Sequence, residues 1–150
     1  MTNQYIVFIL DDQRYALHLP AVEKVERMVH ITPLSNAPDI VLGVISMQGR
    51  ITPVIDLRQR FNLPKREIAL TDRLIFAHAE RRRVALVADA VAEIVECPDH
   101  RRIPAEEILP ELKYLEGIIQ FKDGLILIHN LDKFLFLEEE KSLDLALDSP

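Results

Sequence analysis

Tryptophan is missing from this chain of 150 residues, cysteine occurs once and glycine only four times. The lone Cys97 rules out an internal disulfide and supplies no thiolate cluster for a metal. So few glycines leave little for a phosphate-cradling loop. Neither G-x-x-x-x-G-K-[ST] nor G-x-G-x-x-G is present, and the G-x-S-x-G of a nucleophile elbow is missing too. No apolar run reaches the roughly 18 residues of a membrane-spanning helix. The start, Met1 to Tyr5, lacks the basic and apolar regions of a secretory signal. The expectation is a cytoplasmic protein with no direct membrane insertion. Aromatic residues are 6% of the chain and do not interleave with Arg81, Arg82 and Arg83 or with Arg101 and Arg102, as a base-stacking platform requires. Net charge is −6, and residues 138–150 hold five acids against one lysine, so the body is close to neutral. A nucleic-acid-binding barrel needs a basic footprint, which this chain lacks; the basic triplet reads as a solvated hairpin tip that discourages edge pairing.

What the chain does have is an internal repeat. The segment Tyr5 to Val25 returns as Arg73 to Ile94. Phe8 matches Phe76, and after a single insertion Ala16-Leu17 and Ala21-Val22 match Ala85-Leu86 and Ala90-Val91. The segment Gly43 to Leu57 returns as Gly117 to Leu131. Two copies are too few for a solenoid, which needs about three or more. They suit two pseudo-symmetric β-units sharing one core.

Each half reads as paired short strands followed by a short helix. Tyr5–Leu10 and Tyr15–Leu19, Val41–Met47 and Ile51–Ile55, Leu74–His78 and Val84–Ala88, and Leu115–Phe121 and Leu125–His129 are rich in β-branched and aliphatic residues around polar turns. Gly49 and Gly124 are expected to supply positive φ in two of those turns. Asp56 and Asn130 stand where the β-pattern stops, as helix N-caps for Leu57–Phe61 and Leu131–Leu137. Cys97–Leu112 reads as a loop with at most a turn of helix, and residues 64–72 as a polar link. The predicted fold is all-β with short helices: two five-stranded SH3-like β-barrels sharing a hydrophobic core, from repeat halves of about 4–62 and 73–137. Whether the barrels exchange strands is left open by the pattern. Residues 1–137 are expected to form one domain, and the acidic residues 138–150 a flexible tail, in which Leu143, Leu145 and Leu147 alternate.

Nothing in the chain assembles into a catalytic constellation. His18, His78 and His129 fall in strand patterns at positions that are apolar in the other repeat, and read as packing sites. Asp56 and Asp89 are an imaginable acid/base pair, but the copy of Asp56 is Asn130, which keeps the cap and loses the charge. No catalytic residue, metal ligand or cofactor is expected.

The runs Pro20-Ala-Val-Glu-Lys-Val25, Gly43-Val-Ile-Ser-Met-Gln-Gly49, Ile51-Thr-Pro-Val-Ile-Asp-Leu-Arg58 and Val87-Ala-Asp89-Ala-Val91-x-Glu-Ile94 resemble the CheW family of chemotaxis coupling proteins, and the resemblance extends to about residue 137. It implies two five-stranded barrels and a non-catalytic adaptor. The partners it implies are the regulatory domain of a CheA-type histidine kinase and the cytoplasmic tip of a methyl-accepting chemoreceptor or other sensor. It also implies recruitment to receptor arrays. Carried over position by position, Val22, Lys24, Gln48, Gly49, Val91 and Ile94 become receptor-side candidates, with Met47 shaping the hairpin that presents Gln48. Ile40, Val41 and Leu42 become candidates for a kinase-side apolar surface, although they fit strand core equally well. Two departures stand out. Gln48 occupies a place where the family usually has arginine, and Lys24 one where it tends to have glutamate. A guanidinium can meet a carboxylate with a bidentate fork, which an amide cannot. These changes point to an alternative in which the chain is an accessory component of a non-standard chemosensory cluster.

Overall fold

The computed structural model describes residues 1–108, 114–122 and 124–148. Eleven strands make up about half of these residues: β1 (Thr2–Leu10), β2 (Gln13–His18), β3 (Val22–Arg27), β4 (Val41–Met47), β5 (Arg50–Ile55), β6 (Arg73–His78), β7 (Arg83–Ala88), β8 (Ala90–Pro98), β9 (Ile103–Pro104), β10 (Leu115–Phe121) and β11 (Gly124–His129). Two helices, α1 (Leu57–Arg60) and α2 (Leu137–Asp148), complete it, with 3-10 turns at Leu19–Ala21, Asp99–Arg101, Ala105–Glu107 and Leu131–Lys133. The strands form two barrel-like sheets, in the orders β8-β1-β2-β11-β10-β9 and β3-β6-β7-β5-β4.

The repeat explains that order. β1, β2 and β3 correspond to β6, β7 and β8, and β4 and β5 to β10 and β11. Each sheet takes its first hairpin from one repeat and its remaining main strands from the other. β3 pairs with β6 across the halves, as β8 does with β1. The seams are parallel and equivalent: Ala16 lies opposite Ile128 where β2 meets β11, and Ala85 opposite Val54 where β5 meets β7. Strand exchange, which the sequence left open, is thus how both barrels are closed. The sixth strand, β9, is two residues long and corresponds to the single bridge that Thr32 makes with Val44.

The repeated residues are the buried ones. Phe8 and Phe76, Ala16 and Ala85, and Leu17 and Leu86 are all at most 1% exposed. One apolar cluster gathers Phe8, Tyr15 and Leu17 from one sheet with Ile55, Ile75 and Leu86 from the other, so the two barrels share a core. Gly43 and Gly117 each sit at a register shift in their hairpin. A Cβ on Gly43, where φ is 152°, would run into the Thr32 carbonyl.

Several local expectations are corrected. The β1–β2 turn is two residues, Asp11 and Asp12, both at positive φ; Gln48 and Gly49 do the same between β4 and β5. That is the turn geometry whose twist matches a two-residue hairpin. Gly124 instead begins β11 with no positive φ, and Lys122 takes that conformation; Asp123 lies outside the described residues. The predicted helix Leu131–Leu137 splits into a 3-10 turn and the start of α2. The region Cys97–Leu112 contains β9 and two 3-10 turns, and its last four residues lie outside the described ones.

The tail is the largest difference. Instead of a flexible acidic segment, residues 137–148 form a helix with Leu143 fully buried and Ala146 at 4% exposure. Its acids face the basic hairpin tip: Glu140 Oε1 accepts from Arg82 Nε at 2.8 Å, Asp144 pairs with the same guanidinium, and Arg60 donates to Glu139 at 2.5 Å. Partners far away in sequence thus offset the repulsion that local composition implies.

Candidate functional site

β3 carries the first group of candidates. Its register against β6 slips between Val22 and Lys24, leaving Glu23 as the extra, bulged residue. Bulges re-aim side chains, and here Glu23 and Lys24 take different partners. Glu23 accepts from Arg83 Nε at 2.5 Å and lies 2.6 Å from His78 Nε2, with Arg50 4.0 Å away. The Arg83 guanidinium holds its carboxyl below the usual carboxylate range, with burial opposing and the bond to His78 adding to the effect.

Lys24 and Arg83, the partner of Glu23, both stand over the Phe76 ring. The Lys24 ammonium is 5.2 Å from the ring centroid, 3.6 Å from Met47 Sδ and 3.8 Å from Glu26. The stem thus covers apolar surface while the charge stays half-exposed, as long cationic side chains commonly do. Met47 leads directly into the turn residues Gln48 and Gly49, both exposed. Lys24, Met47, Gln48 and Gly49 therefore share one corner of the five-stranded barrel, and Val22 sits beside them, partly buried against the shared core. Gln48 holds φ at 53°, a conformation that costs a non-glycine residue roughly 1–2 kcal/mol.

Val91 and Ile94 lie on β8, in the other sheet, where they are the counterparts of Val22 and Val25. The register of β8 against β1 slips at the matching place, between Val91 and Glu93. Ile94 is 56% exposed and Val91 packs partly against the shared core. The receptor-side candidates are thus two pseudo-equivalent strand edges, one per barrel.

Of the kinase-side candidates, Ile40 and Val41 are core, at 2% and 8% exposure. They fill the barrel junction because β4 begins there, and the Ile40 carbonyl accepts the Asp56 N–H at 2.7 Å. For these two the strand-core alternative, which the sequence fitted equally well, is the one observed. Leu42 alone reaches outward, into a cavity of about 650 Å³ that Val87, Ile68 and Arg66 also line.

The imagined carboxylate pair has structural duties instead. Asp56 Oδ1 accepts from the Gln59 N–H at 3.2 Å as the cap of α1, and Asn130 does the same for Asp132 at 3.0 Å. Asp89 joins the halves: it accepts from Arg58, from Arg66 at 2.5 Å and from the Asp11 N–H at 2.9 Å. Burial works against its charge, but that N–H and the two guanidiniums outweigh it and hold the carboxyl low. Arg66 also binds Asp72, and Arg58 binds Asp11. This cluster was missed in the sequence because its members are scattered from Asp11 to Asp89.

The histidines divide. His78 is an exposed partner of Glu23 and not a packing residue, whereas His18 both pairs with Glu116 and packs its ring on Tyr5 at 4.9 Å. His129 is packed as expected: it is 3% exposed and stacks on Phe61 at 4.3 Å, with Tyr15 and Tyr114 each at 5.4 Å. Neither ring nitrogen meets a hydrogen-bond partner in good geometry among the described residues. Burial pushes its pKa down to about 3, against a weaker pull from the Tyr114 backbone.

Comparison with known proteins agrees with this architecture. Residues 4–139 match the model of the CheW-like domain. "Chemotaxis protein CheW" of Rhizobium meliloti is 27% identical over 142 residues, covering 93% of this chain and 92% of that one. "Protein FrzA" of Myxococcus xanthus is 27% identical over 125 residues, 79% of this chain and 74% of that one. The crystal structure of the scaffolding protein TtCheW from Thermoanaerobacter tengcongensis superposes with a TM-score of 0.84 at 28% identity, covering 93% of this chain and 96% of that one.

Proposed function

The chain belongs to the CheW-like domain family, and from that membership we propose that it joins the regulatory domain of a CheA-type histidine kinase to the cytoplasmic tip of a chemoreceptor or related sensor. Its role is that of a non-catalytic coupling adaptor in chemotaxis. The observation that carries the reading is the match over residues 4–139, which spans both barrels and the seam between them. The adaptor works on the cytoplasmic side, held at receptor arrays by its partners; among the described residues no helix is long and apolar enough to cross a membrane.

The receptor-side contact is assigned to the β3 corner and to its counterpart on β8. Two features support this. Lys24, Met47 and Gln48 form a joint patch with one positive charge over apolar surface, and Ile94 offers an exposed apolar side chain on the matching strand. A receptor helix hairpin, amphipathic and carrying an acid opposite Lys24, suits such a surface. Leu42 stays in the reading as the kinase-side contact, together with the cavity it lines.

Titration of the protein against a kinase regulatory domain, and separately against receptor cytoplasmic fragments from the same cell, tests the proposal. Saturable binding to both supports it. Binding to the kinase alone would favour an accessory component with altered input, and binding to neither would end the adaptor reading.

A further inference from the structure

We propose that the groove now filled by α2 is a docking site for an acidic amphipathic helix of a partner protein, which the chain's own α2 occupies in competition. The floor of the groove is Ile55, Val84, Leu131 and Phe134, at the junction of the two barrels. Arg60, Arg81 and Arg82 form its rim. Leu143 enters the shared apolar cluster, Ala146 is buried and Leu147 packs alongside, a helical i, i+3, i+4 face. Glu139, Glu140 and Asp144 meet the three arginines. A cavity of about 10 Å³ remains beside Glu140 at the groove floor. The groove therefore selects one ligand chemistry, an apolar stripe flanked by carboxylates.

Three observations make the occupant exchangeable. The groove lies wholly within the matched residues 4–139, whereas most of α2 lies beyond them. A 12-residue helix is marginal by itself, and α2 has no basic residue in its last turn, where Asp148 opposes the helix dipole. Beside the buried Leu143 and Ala146, part of its hold is ionic, and the pairs made by Arg81 and Asp144 lie near the surface, where salt weakens them. An attached helix has an effective concentration in the millimolar range, so a partner's helix displaces it only by fitting better or by arriving as part of a larger contact.

The test uses the full chain and a labelled synthetic peptide of residues 136–148. In the variant Glu140→Lys/Asp144→Lys the arginines repel the attached helix. The peptide is expected to bind this variant at least tenfold more tightly than it binds the wild type, and adding Arg82→Glu removes that gain. Amide hydrogens of 137–148 exchange more than tenfold faster in the variant, while β1 and β2 keep their protection. Equal peptide affinity for variant and wild type would overturn the proposal, as would equal binding of a scrambled peptide. Loss of protection throughout the strands would also overturn it, since α2 would then be an inseparable part of the core. In the wild type, raising sodium chloride from about 0.05 M to 1 M should speed exchange in α2 severalfold relative to β1; an unchanged ratio counts against exchangeability. A wild-type dimer formed by trading α2 would overturn the partner in favour of a second copy. No readout involves kinase or receptor, so failure here leaves the adaptor reading standing.

Discussion

His129 and Lys24 show how differently single residues act in this fold. His129 is neutral when folded and titrates near its ordinary pKa of about 6.5 when unfolded, so the unfolded state binds the extra proton. Stability is fully present above that value and falls as pH drops towards the folded pKa of about 3, by up to about 1.4 kcal/mol per pH unit. Urea unfolding between pH 5 and 7, above the range where Glu23 and Asp89 titrate, should show this slope, and His129→Leu should flatten it. Lys24 lies outside the core, and its substitution reads out in binding. A charge-assisted contact is worth roughly 1.5–3 kcal/mol. Lys24→Glu is therefore expected to weaken binding to the cognate receptor fragment about tenfold while leaving kinase affinity unchanged, as paired titrations would reveal. The sequence placed Lys24 beside Gln48 only through a resemblance. Its environment depends on the β3 bulge, which composition does not announce.

Among the elements, α1 and the start of the Leu131–Lys133 turn were the most legible, because both begin with a short polar residue at the end of an apolar strand. Asp56→Ala should cost about 1 kcal/mol in denaturant unfolding, whereas Asp56→Asn should be close to neutral, as its copy Asn130 already caps the equivalent turn. If Asp56→Asn instead removed function with the fold intact, the carboxylate would have a role beyond capping. The eight strands of the four hairpins were legible too, since β-branched residues around polar turns leave local marks, whereas β3, β8 and β9 were not delimited. α2 was not legible. Leu143, Leu145 and Leu147 alternate as in a strand, and the helical face only appears once Ala146 is counted with Leu143 and Leu147. What holds the helix down is Arg60, Arg81 and Arg82, which belong to distant parts of the chain and leave no mark beside it in the sequence.

At the scale of the whole molecule, the repeat revealed two β-units but not their interleaving. Strand pairing is decided by which edges meet, and β1 has the same pattern whether β3 or β8 lies beside it. The interleaving predicts that neither half folds alone. Fragments 1–67 and 68–150 should each lack the sheet signature by circular dichroism and regain it when mixed. The intact chain should unfold in a single transition. A half that folded independently would contradict the shared core. With pairings this remote in sequence, folding belongs to the slow, millisecond-to-second range of β-rich domains.

Because β3 completes the sheet of β6, and β8 that of β1, a half-length chain bearing one copy could close its barrels only with a second chain, around a two-fold axis. The link 64–72 turns that encounter between molecules into an event within one. The pair is then assembled at any dilution, and each copy is free to diverge. The charges at the two hairpin tips, acidic at Asp11 and Asp12 and basic at Arg81 to Arg83, show that freedom in use: a symmetric dimer would have to carry the same sign at both.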